Sequence, residues 1–254
     1  MLDCKIINKG LKLIKSITVC ITSFNRFNLL KQTIDSFNKL NKYPIEKYLV
    51  IEDSANLDMK DKIINNYGNE IELIFNENTL GQAKSIDKAY QTITSEYVFH
   101  SEDDYLYIGN ANFMQDSLDV LEEREDIHQI WMRHLDNYDE THGVGVIDRI
   151  ALEKKTLYTS TNVPYRMIKS PHDCLGNYGG FSWNSGLRRM ADYKSMFPNG
   201  YDFFIKIGKA SMKKGDIVPH VEEVSSKHAL MQGYRAAFLV NGGCRDMGHL
   251  ATTY

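Results

Sequence analysis

Short apolar runs alternate with amphipathic segments along the first hundred residues of the chain. Each run has four or five residues, is rich in β-branched or aromatic side chains, and is followed by polar residues. Runs of this length predict strands, and their low polar content predicts burial on both faces of a sheet. The predicted strands are Ile17–Ile21, Tyr48–Ile51, Ile71–Phe75 and Tyr97–His100.

The segments between these runs have the apolar spacing of helices. Apolar side chains recur three or four positions apart, which places them on one face of a helix. One predicted helix carries Leu29, Leu30, Ile34, Phe37 and Leu40, a second covers 59–67, and a third carries Ala83, Ile86, Tyr90 and Ile93. Strands that alternate with helices predict right-handed βαβ units, and therefore an α/β fold with a mostly parallel sheet flanked by helices.

The second half of the chain is less regular. Strands are predicted at 128–135, 144–150, 157–161 and 236–240, and a short helix at 190–197. No internal repeat, low-complexity tract or linker separates the two halves. We therefore expect a single domain, 1–254, in which a mixed α/β C-terminal half completes the first half.

Charge and cysteine usage narrow the class of protein. Lys and Arg number 30 against 33 Asp and Glu, a net charge of −3, so the cationic surplus of nucleic-acid-binding proteins is missing. The four cysteines have no C-x-x-C spacing, which favours reduced thiols over a zinc ribbon. No apolar stretch reaches the length of a membrane span, and lysines occupy the N-terminus where a signal peptide is apolar. We therefore expect a cytoplasmic protein with no membrane span and no nucleic-acid partner.

Three polar loops, 22–26, 52–54 and 101–104, directly follow predicted strands. The carboxyl ends of parallel strands lie at one edge of a sheet, where ligands bind in open α/β folds. Asp53, in the second loop, has two readings: it accepts hydrogen bonds from a nucleobase or a ribose, or it caps a helix. The convergence of the loops predicts a ligand site at this edge.

The run Glu102-Asp103-Asp104 ends the fourth predicted strand. Carboxylates in that place must be solvated, paired or metal-bound, because an unpaired buried charge is very costly. Mg²⁺ or Mn²⁺ takes one or two protein carboxylates and leaves positions for substrate phosphates, so a divalent cation is the preferred hypothesis. A solvated loop that begins a helix is the alternative.

Four motifs of the first half resemble those of the GT-A fold nucleotide-sugar glycosyltransferases, most closely the family 2 glycosyltransferases. Residues 19–26 (VCITSFNR) look like the V-x-I-P-T-Y-N-R opening of that family, and 49–54 (LVIEDS) like its V-V-D-D-G-S segment. Residues 78–84 (NTLGQAK) are similar to its N-x-G-x-x-x-A-R loop, and 97–104 (YVFHSEDD) to the strand that carries its metal-binding acids. The resemblance covers residues 17–104 and implies a nucleotide-sugar-binding half, 15–110, and an acceptor-binding half, 111–254.

The resemblance also implies roles for individual residues. The nucleotide sugar would be bound by Thr22, Ser23, Asn25, Arg26, Asp53, Lys84, Glu102 and Asp103. Asp53 would read the base, and Lys84 would lie near the base or the diphosphate. A Mn²⁺ or Mg²⁺ ion would be held by Asp104 and Glu102, together with His249; His228 and His220 are alternatives to His249. The implied donor is a UDP- or GDP-sugar, and the acceptor a glycan, lipid or protein.

The acceptor side is predicted from residues 178–186, which resemble a G-x-F-S-F-N-P-x-L segment of some of these transferases. Gly180, Trp183 and Asn184 would contact the acceptor, with Trp183 as an exposed stacking face; a buried core Trp is the alternative. An inverting transfer needs a base, and in the family an acid about a dozen positions before a glycine often holds this place. Asp202, before Gly215, fits this rule loosely, and Asp173 is its rival.

Other classes of enzyme fit less well. The chain lacks the G-x-x-x-x-G-K-[ST] motif of a P-loop enzyme. A dehydrogenase or a sugar nucleotidylyltransferase would require glycines in the first loop, and this loop has none. The sequence therefore predicts a metal-dependent, inverting glycosyltransferase. The alternative is a catalytically inactive nucleotide-sugar or carbohydrate-binding relative, because Ser101 stands where the first acid of the metal motif would align.

Overall fold

The structure is a computed structural model that describes residues 13–133, 138–139, 144–145, 152–169, 180–202, 205–206 and 217–247. The strands in these ranges are β1 Ile17–Ser23, β2 Lys47–Glu52, β3 Glu72–Phe75, β4 Tyr97–Glu102, β5 Tyr105–Tyr107, β6 Ile127–Trp131, β7 Tyr138–Asp139, β8 Val144–Gly145, β9 Leu157–Tyr158, β10 Pro164–Met167, β11 Gly186–Arg189, β12 Arg235–Leu239 and β13 Cys244–Asp246. The helices are α1 Phe27–Leu40, α2 Leu57–Tyr67, α3 Gln82–Thr92, α4 Phe113–Glu123, α5 Met190–Met196 and α6 Ile217–Met231, with a 3₁₀ turn at Gly68–Glu70.

A nine-stranded sheet forms the centre of the fold, in the order β3-β2-β1-β4-β11-β6-β12-β10-β9. The strands β3, β2, β1 and β4 are parallel neighbours, as are β6 and β12. Only β11 and β10 run against the other strands of this sheet. The expected α/β architecture with a mostly parallel sheet flanked by helices is therefore confirmed.

The strands of the first half are buried on both faces, as their composition predicts. Ile17, Val19 and Ile21 of β1 belong to one apolar cluster, while Cys20 belongs to another on the opposite face. The first cluster packs against α1, α2 and α4, and the second against α3, α5 and α6. All four predicted strands and three predicted helices of this half are present, and β4 continues to Glu102.

The second half agrees with the sequence only in part. The predicted strands at 128–135, 157–161 and 236–240 correspond to β6, β9 and β12, and the predicted helix at 190–197 to α5. Of the strand predicted at 144–150, the structure describes only β8. The strand β11 and the helix α6 have no counterpart in the predictions, because Arg188, Ser225 and Ser226 are buried and interrupt the apolar pattern of these elements.

The direction of β11 matters for the position of the functional residues. Gly186, the first residue of β11, pairs with His100 of β4 and with Trp131 of β6. Since β11 runs against both neighbours, the segment just before it, 181–185, lies at the carboxyl ends of β4 and β6. One antiparallel strand thus brings part of the second half to the edge where the loops of the first half converge. No helix in the described part of the chain is long and apolar enough to cross a membrane.

Candidate active site

The loops that follow β1, β2 and β4 meet at one edge of the sheet. Parallel pairing places Ser23 beside Glu52 and Thr22 beside Glu102. A cleft of about 240 Å³ lies over these strand ends and extends to the start of α3. Its lining includes six of the residues predicted to bind the nucleotide sugar: Thr22, Ser23, Arg26, Asp53, Glu102 and Asp103. The structure therefore brings the three polar loops together around one cleft.

Two other predicted residues, Asn25 and Lys84, lie next to this lining. Asn25 adopts a left-handed backbone conformation with φ of 57°, and its N–H donates to Oε1 of Glu52 at 3.1 Å. Its side-chain oxygen accepts from Asn56 at 2.8 Å, so Asn25 turns the chain from β1 into α1. Lys84 lies half-buried in the first turn of α3, directly after the cleft residues Gly81 and Gln82.

Asp53 organises the loop between β3 and α3. Its carboxylate accepts from the backbone N–H groups of Leu80 and Gly81 and from the side-chain amide of Asn76, each at 2.8 Å. The helix-cap reading is wrong for α2, because the side chain of Asn56 caps that helix by accepting from Asp58. Asp53 therefore fixes the start of α3 beside the cleft, and its Oδ2, which accepts only the bond from Gly81, keeps a further lone pair.

Arg26 binds both aspartates that follow Glu102. Its Nη1 donates to Oδ2 of Asp104 at 2.9 Å, and its Nε and Nη2 donate to the two oxygens of Asp103. Phe24 N–H donates to Asp103 as well, at 3.2 Å. Burial raises the pKa of Asp103 to about 6, although Arg26 opposes that rise. Asp103 is thus enclosed, whereas the Asp104 side chain is 13% exposed and stands closer to solvent.

Several acidic side chains raise the pKa of Glu102. Its Oε1 accepts from the amide of Gln82 at 2.6 Å. Burial raises its pKa well above the ordinary value, and the neighbouring carboxylates of Asp104, Glu222, Asp103 and Asp246 raise it further. Burial and the neighbouring acidic side chains therefore oppose the ionisation of Glu102.

The strand β13 adds an acid that the sequence reasoning missed. Asp246 lies opposite Tyr105 in the pairing of β13 with β5, and the next residue, Met247, donates its N–H to the carbonyl of Asp104 at 2.7 Å. Arg133 donates to the Asp246 carboxylate at 2.6 Å. Only the antiparallel pairing of β13 with β5 shows that Asp246 stands beside the Glu102–Asp104 run, since the two are far apart in the sequence.

Ser101 occupies a different environment from the acids that follow it. Its side chain is buried, its hydroxyl donates to the carbonyl of Glu102 at 2.9 Å, and it accepts from the hydroxyl of Tyr107 at 2.7 Å. A carboxylate at this position would be buried in the apolar cluster of Tyr107 and Phe113. The serine at this position is therefore explained by packing, and the argument for an inactive relative loses its support.

The donor atoms at this edge suit a divalent cation that arrives with a ligand. They are carboxylate oxygens, which hard cations prefer. Among the described residues, no three His, Cys, Asp or Glu side chains form a group that could hold an ion by themselves. Mg²⁺ needs only one or two protein carboxylates when phosphate oxygens supply further ligands, so the set fits a cation shared with a diphosphate. His249, the third predicted ligand, and His220, one alternative, have no described side chain. His228, the other alternative, bonds the carbonyl of Met196 at 2.9 Å, within the α5–α6 contact.

The predicted acceptor residues belong to the segment before β11, but their exposure and contacts differ from what was expected. The Trp183 side chain is 1% exposed and packs against Phe181 and Tyr201, so the expected stacking face is wrong and the buried alternative is correct. Gly180 faces α6, where a Cβ atom would lie 3.2 Å from the carbonyl of Ser226. Asn184 is half-buried and accepts from the hydroxyl of Tyr105 at 2.7 Å.

Glu222 of α6 is an acid that bonds the segment just before β11. Its Oε1 accepts from Trp183 N–H at 2.8 Å and from the Ser182 hydroxyl at 2.9 Å. Its charge also raises the pKa of Glu102. The sequence carried a usable signal: Glu222 precedes Gly233 by eleven positions, the spacing that the family rule requires.

The two predicted bases do not share this position. Asp202 is exposed and follows the loop after α5. Its charge raises the pKa of Asp87 and is not among the charges that raise the pKa of Glu102. Asp173 lies outside the described residues, so its role stays a prediction.

Comparisons with known proteins agree with this arrangement. The model of the family described as Glycosyl transferase family 2 matches residues 18–192 of the chain. No curated protein matches the chain.

Three solved structures share the fold. The first is S. aureus TarS 1–349, with 14% sequence identity, 91% of this chain and 60% of that chain covered, and a TM-score of 0.62. The second is a mannosyltransferase from Pyrobaculum calidifontis in complex with GDP-Man and Mn²⁺, with 13% identity, coverage of 92% and 57%, and a TM-score of 0.57. GalNAc-T7 with UDP, GalNAc and Mn²⁺ shares 12% identity, coverage of 92% and 44%, and a TM-score of 0.59. This chain spans less than two thirds of each of these proteins, and likeness at this identity concerns the fold alone.

Proposed function

The chain belongs to glycosyl transferase family 2, and from that premise we propose that it is a metal-dependent, inverting glycosyltransferase acting on a UDP- or GDP-sugar. The observation that carries the proposal is the set of carboxylates at one cleft: Asp53, Glu102 and Asp103 line it, and Asp104 is held beside them by Arg26. Such a cluster repels a diphosphate unless a cation lies between them. The relatives solved with GDP-Man or UDP together with Mn²⁺ support the same combination of nucleotide and cation.

The nucleoside of the donor is assigned to the end of the cleft formed by the β1–α1 loop and the start of α3. Phe24 lines the cleft with a ring that is 53% exposed, and an exposed ring offers a stacking face to a base. The Ser23 hydroxyl is buried without a hydrogen-bond partner among the described residues. A ligand that bonds this hydroxyl would remove the cost of leaving it unpaired.

The cation is assigned to Asp104 and Glu102. When bound, it neutralises the diphosphate and stabilises it as a leaving group. Asp104 is the more exposed of the two aspartates held by Arg26, so its carboxylate can turn toward the cleft. His249 follows Met247 by two residues, a reach of at most about 7 Å, and the Met247 amide already bonds Asp104. His249 therefore remains the proposed third ligand.

Glu222 is proposed as the base that takes the proton of the acceptor hydroxyl. An inverting transfer places a carboxylate on the face of the sugar opposite the leaving group. Support for Glu222 over Asp202 comes from its half-buried position, its hydrogen bonds from Ser182 and Trp183, and its effect on the pKa of Glu102. The acceptor, a glycan, lipid or protein, would approach from the side of Asn184.

A screen of nucleotide sugars tests the proposed reaction. Donor hydrolysis is measured for UDP- and GDP-sugars with Mn²⁺, with Mg²⁺ and with EDTA, and thermal unfolding is followed with UDP or GDP under the same conditions. We expect hydrolysis of one donor class and a rise in Tm only when nucleotide and cation are both present. A nucleotide that stabilises the protein equally well in EDTA would contradict the assigned cation.

A matched pair of variants tests the base. Glu222→Gln removes the proton acceptor but keeps a side chain of the same size, so kcat should fall by about 10²- to 10⁴-fold with donor affinity unchanged. Asp202→Asn is the control and should retain the activity of the natural protein within about twofold. Equal loss in both variants, or loss in Asp202→Asn alone, would refute the assignment of Glu222.

A further inference from the structure

A buried arginine lies near the proposed base and has no direct carboxylate partner in the part of the chain that the structure describes. Arg188 is 1% exposed, and its Nη1 donates to the Tyr90 hydroxyl at 2.9 Å. Its Nη2 donates to the carbonyl of Ser182, and its guanidinium lies over the ring of Phe181 at 5.2 Å. Among the described residues, no Asp or Glu oxygen lies within 4.0 Å of this guanidinium, while Arg26, Arg124, Arg133, Arg189 and Arg235 each have such a partner. A buried cation of this kind is costly, so its position calls for a reason.

The Ser182–Trp183 peptide connects Arg188 to Glu222. The carbonyl of this peptide accepts from Arg188 and also from the Gln129 amide at 2.7 Å. The N–H of the same peptide donates to Oε1 of Glu222 at 2.8 Å. Two donors on the carbonyl, one of them charged, polarise the peptide and strengthen its N–H as a donor.

We propose that Arg188 is a positioning residue for the Glu222 carboxylate and acts on it through the Ser182–Trp183 peptide. The arrangement holds Glu222 in its ionised form and fixes the oxygen that is bonded to Trp183, so the other oxygen is free to face the acceptor. This inference rests on the proposed function in one respect, the role of Glu222 as base. The electrostatic link itself does not depend on that role.

The charges around Glu222 act in opposite directions. Burial raises its pKa, and the Trp183 N–H, the Ser182 hydroxyl and the charge of Arg188 lower it. Glu223 is adjacent in α6 and pairs with Lys227. The charge of Glu222 in turn raises the pKa of Glu102, on β4. Arg188 is therefore the cation that opposes the effect of burial on Glu222.

Two measurements on the full chain test the inference. The ¹³Cδ shifts of labelled glutamates are followed from pH 4 to 9, with Glu222 assigned by its absence from Glu222→Gln. The pH dependence of kcat for donor hydrolysis is recorded in parallel. In Arg188→Gln, the midpoint for Glu222 should rise by about one pH unit or more, and the acid limb of kcat should move with it.

Three further variants separate positioning from a general loss of stability. Arg188→Lys keeps the charge and should leave the midpoint nearer that of the natural protein. Arg189→Gln removes the neighbouring arginine, which pairs with Asp192, and should lower Tm without moving the midpoint. Should Arg188→Gln fail to fold, Gln129→Met removes the neutral donor to the same carbonyl and should give a smaller rise.

The outcomes distinguish this inference from the proposed function. An unchanged Glu222 midpoint in Arg188→Gln, or an equal shift in Arg189→Gln, overturns the role of Arg188. Full activity of Glu222→Gln overturns Glu222 as base, and the NMR titration then still decides whether Arg188 controls its ionisation.

Discussion

The two carboxylate regions of the site neutralise their charge in different ways. At the end of β4, Arg26 binds Asp103 and Asp104 directly and is itself 37% exposed. Beside α6, Arg188 is buried and reaches Glu222 only through a peptide group. An exposed arginine can be displaced by an incoming cation at small cost, whereas a buried one cannot leave. The first region is therefore suited to exchange ligands, and the second to hold one carboxylate in place.

The largest expected effect on activity comes from replacing Asp104, in the region at the end of β4. Asp104→Asn should lower sugar transfer and donor hydrolysis by about 10³-fold, because the cation contributes several kcal/mol of charge stabilisation. Tm without ligand should change little, and the gain in Tm from nucleotide plus Mn²⁺ should disappear. Asp35→Asn, an exposed α1 residue paired with Lys31, is the matched control and should behave like the natural protein. Retained transfer in Asp104→Asn would refute the metal assignment.

Asp87 tests the packing of α3 from the first half of the chain against Tyr193 and Tyr201 from the second half. This α3 residue accepts from the hydroxyl of Tyr193 and the N–H of Tyr201, each at 2.7 Å. Burial raises its pKa from 3.8 to about 6, so between these values the folded state binds the proton more tightly than the unfolded state. The contribution of Asp87 to stability should therefore fall by at most about 3 kcal/mol as pH rises from about 4 to 6, and remain level outside this window.

The variant Asp87→Asn isolates this contribution. Urea unfolding at pH 4 and pH 7 should show a smaller loss of free energy in the variant than in the natural protein. The Asp103 carboxyl, also raised to about pKa 6, contributes equally to both proteins and cancels in the difference. An identical pH dependence in the two proteins would show that Asp87 does not titrate in this range.

Gly186→Ala tests whether a displaced β11 lowers kcat through the region of Glu222 without changing nucleotide affinity at the carboxylates of β4. A Cβ atom there would lie 2.2 Å from the carbonyl of Ile130, and the backbone of β6 would have to move. We expect the free energy of unfolding to fall by about 2 kcal/mol, with kcat lowered and nucleotide affinity unchanged. Gly233→Ala is a poor control because its φ is 85°, so Ala89→Gly in α3, costing about 1 kcal/mol, is preferred. Loss of nucleotide affinity in Gly186→Ala would show that the regions are coupled.

Arg26→Met should change stability only modestly, and it tests whether a cation replaces Arg26 at the carboxylates of β4. Removing a buried partner costs several kcal/mol, but the exposure of Arg26 reduces this to about 1 kcal/mol. Mn²⁺ should raise Tm more in the variant than in the natural protein, because the cation no longer competes with the guanidinium. An equal rise in Tm with Mn²⁺ in the variant and in the natural protein would show that the cation does not displace Arg26.

The first region was predictable because its information is local. Each polar loop directly follows an apolar strand, and parallel pairing of these strands is enough to bring Thr22, Asp53 and Glu102 to one cleft. The resemblance to family motifs added roles for the same residues. Even so, the three backbone and side-chain bonds to Asp53 could not be foreseen, since they depend on how the β3–α3 loop folds.

The second region was less predictable because polar residues occupy its core. Arg188, Ser225 and Ser226 are buried, so neither β11 nor α6 shows the expected apolar period. Trp183 was expected to be exposed and is buried, because a Trp beside glycines is compatible with both environments. The spacing rule, applied to Gly215, predicts Asp202, whereas Glu222 precedes Gly233 by eleven positions and is not among the predicted bases.

The sequence by itself determined the α/β fold, the edge of the sheet where the polar loops meet, and six of the residues that line the cleft there. Hydrophobic periodicity and strand-end polarity are properties of neighbouring residues, so they can be seen without the fold. The tertiary structure alone decided that Asp246 and Glu222 join the carboxylates of β4, and that a buried Arg188 stands behind Glu222. These contacts join residues far apart in the chain, and only the antiparallel pairing of β11 and β13 and the packing of α6 bring them together.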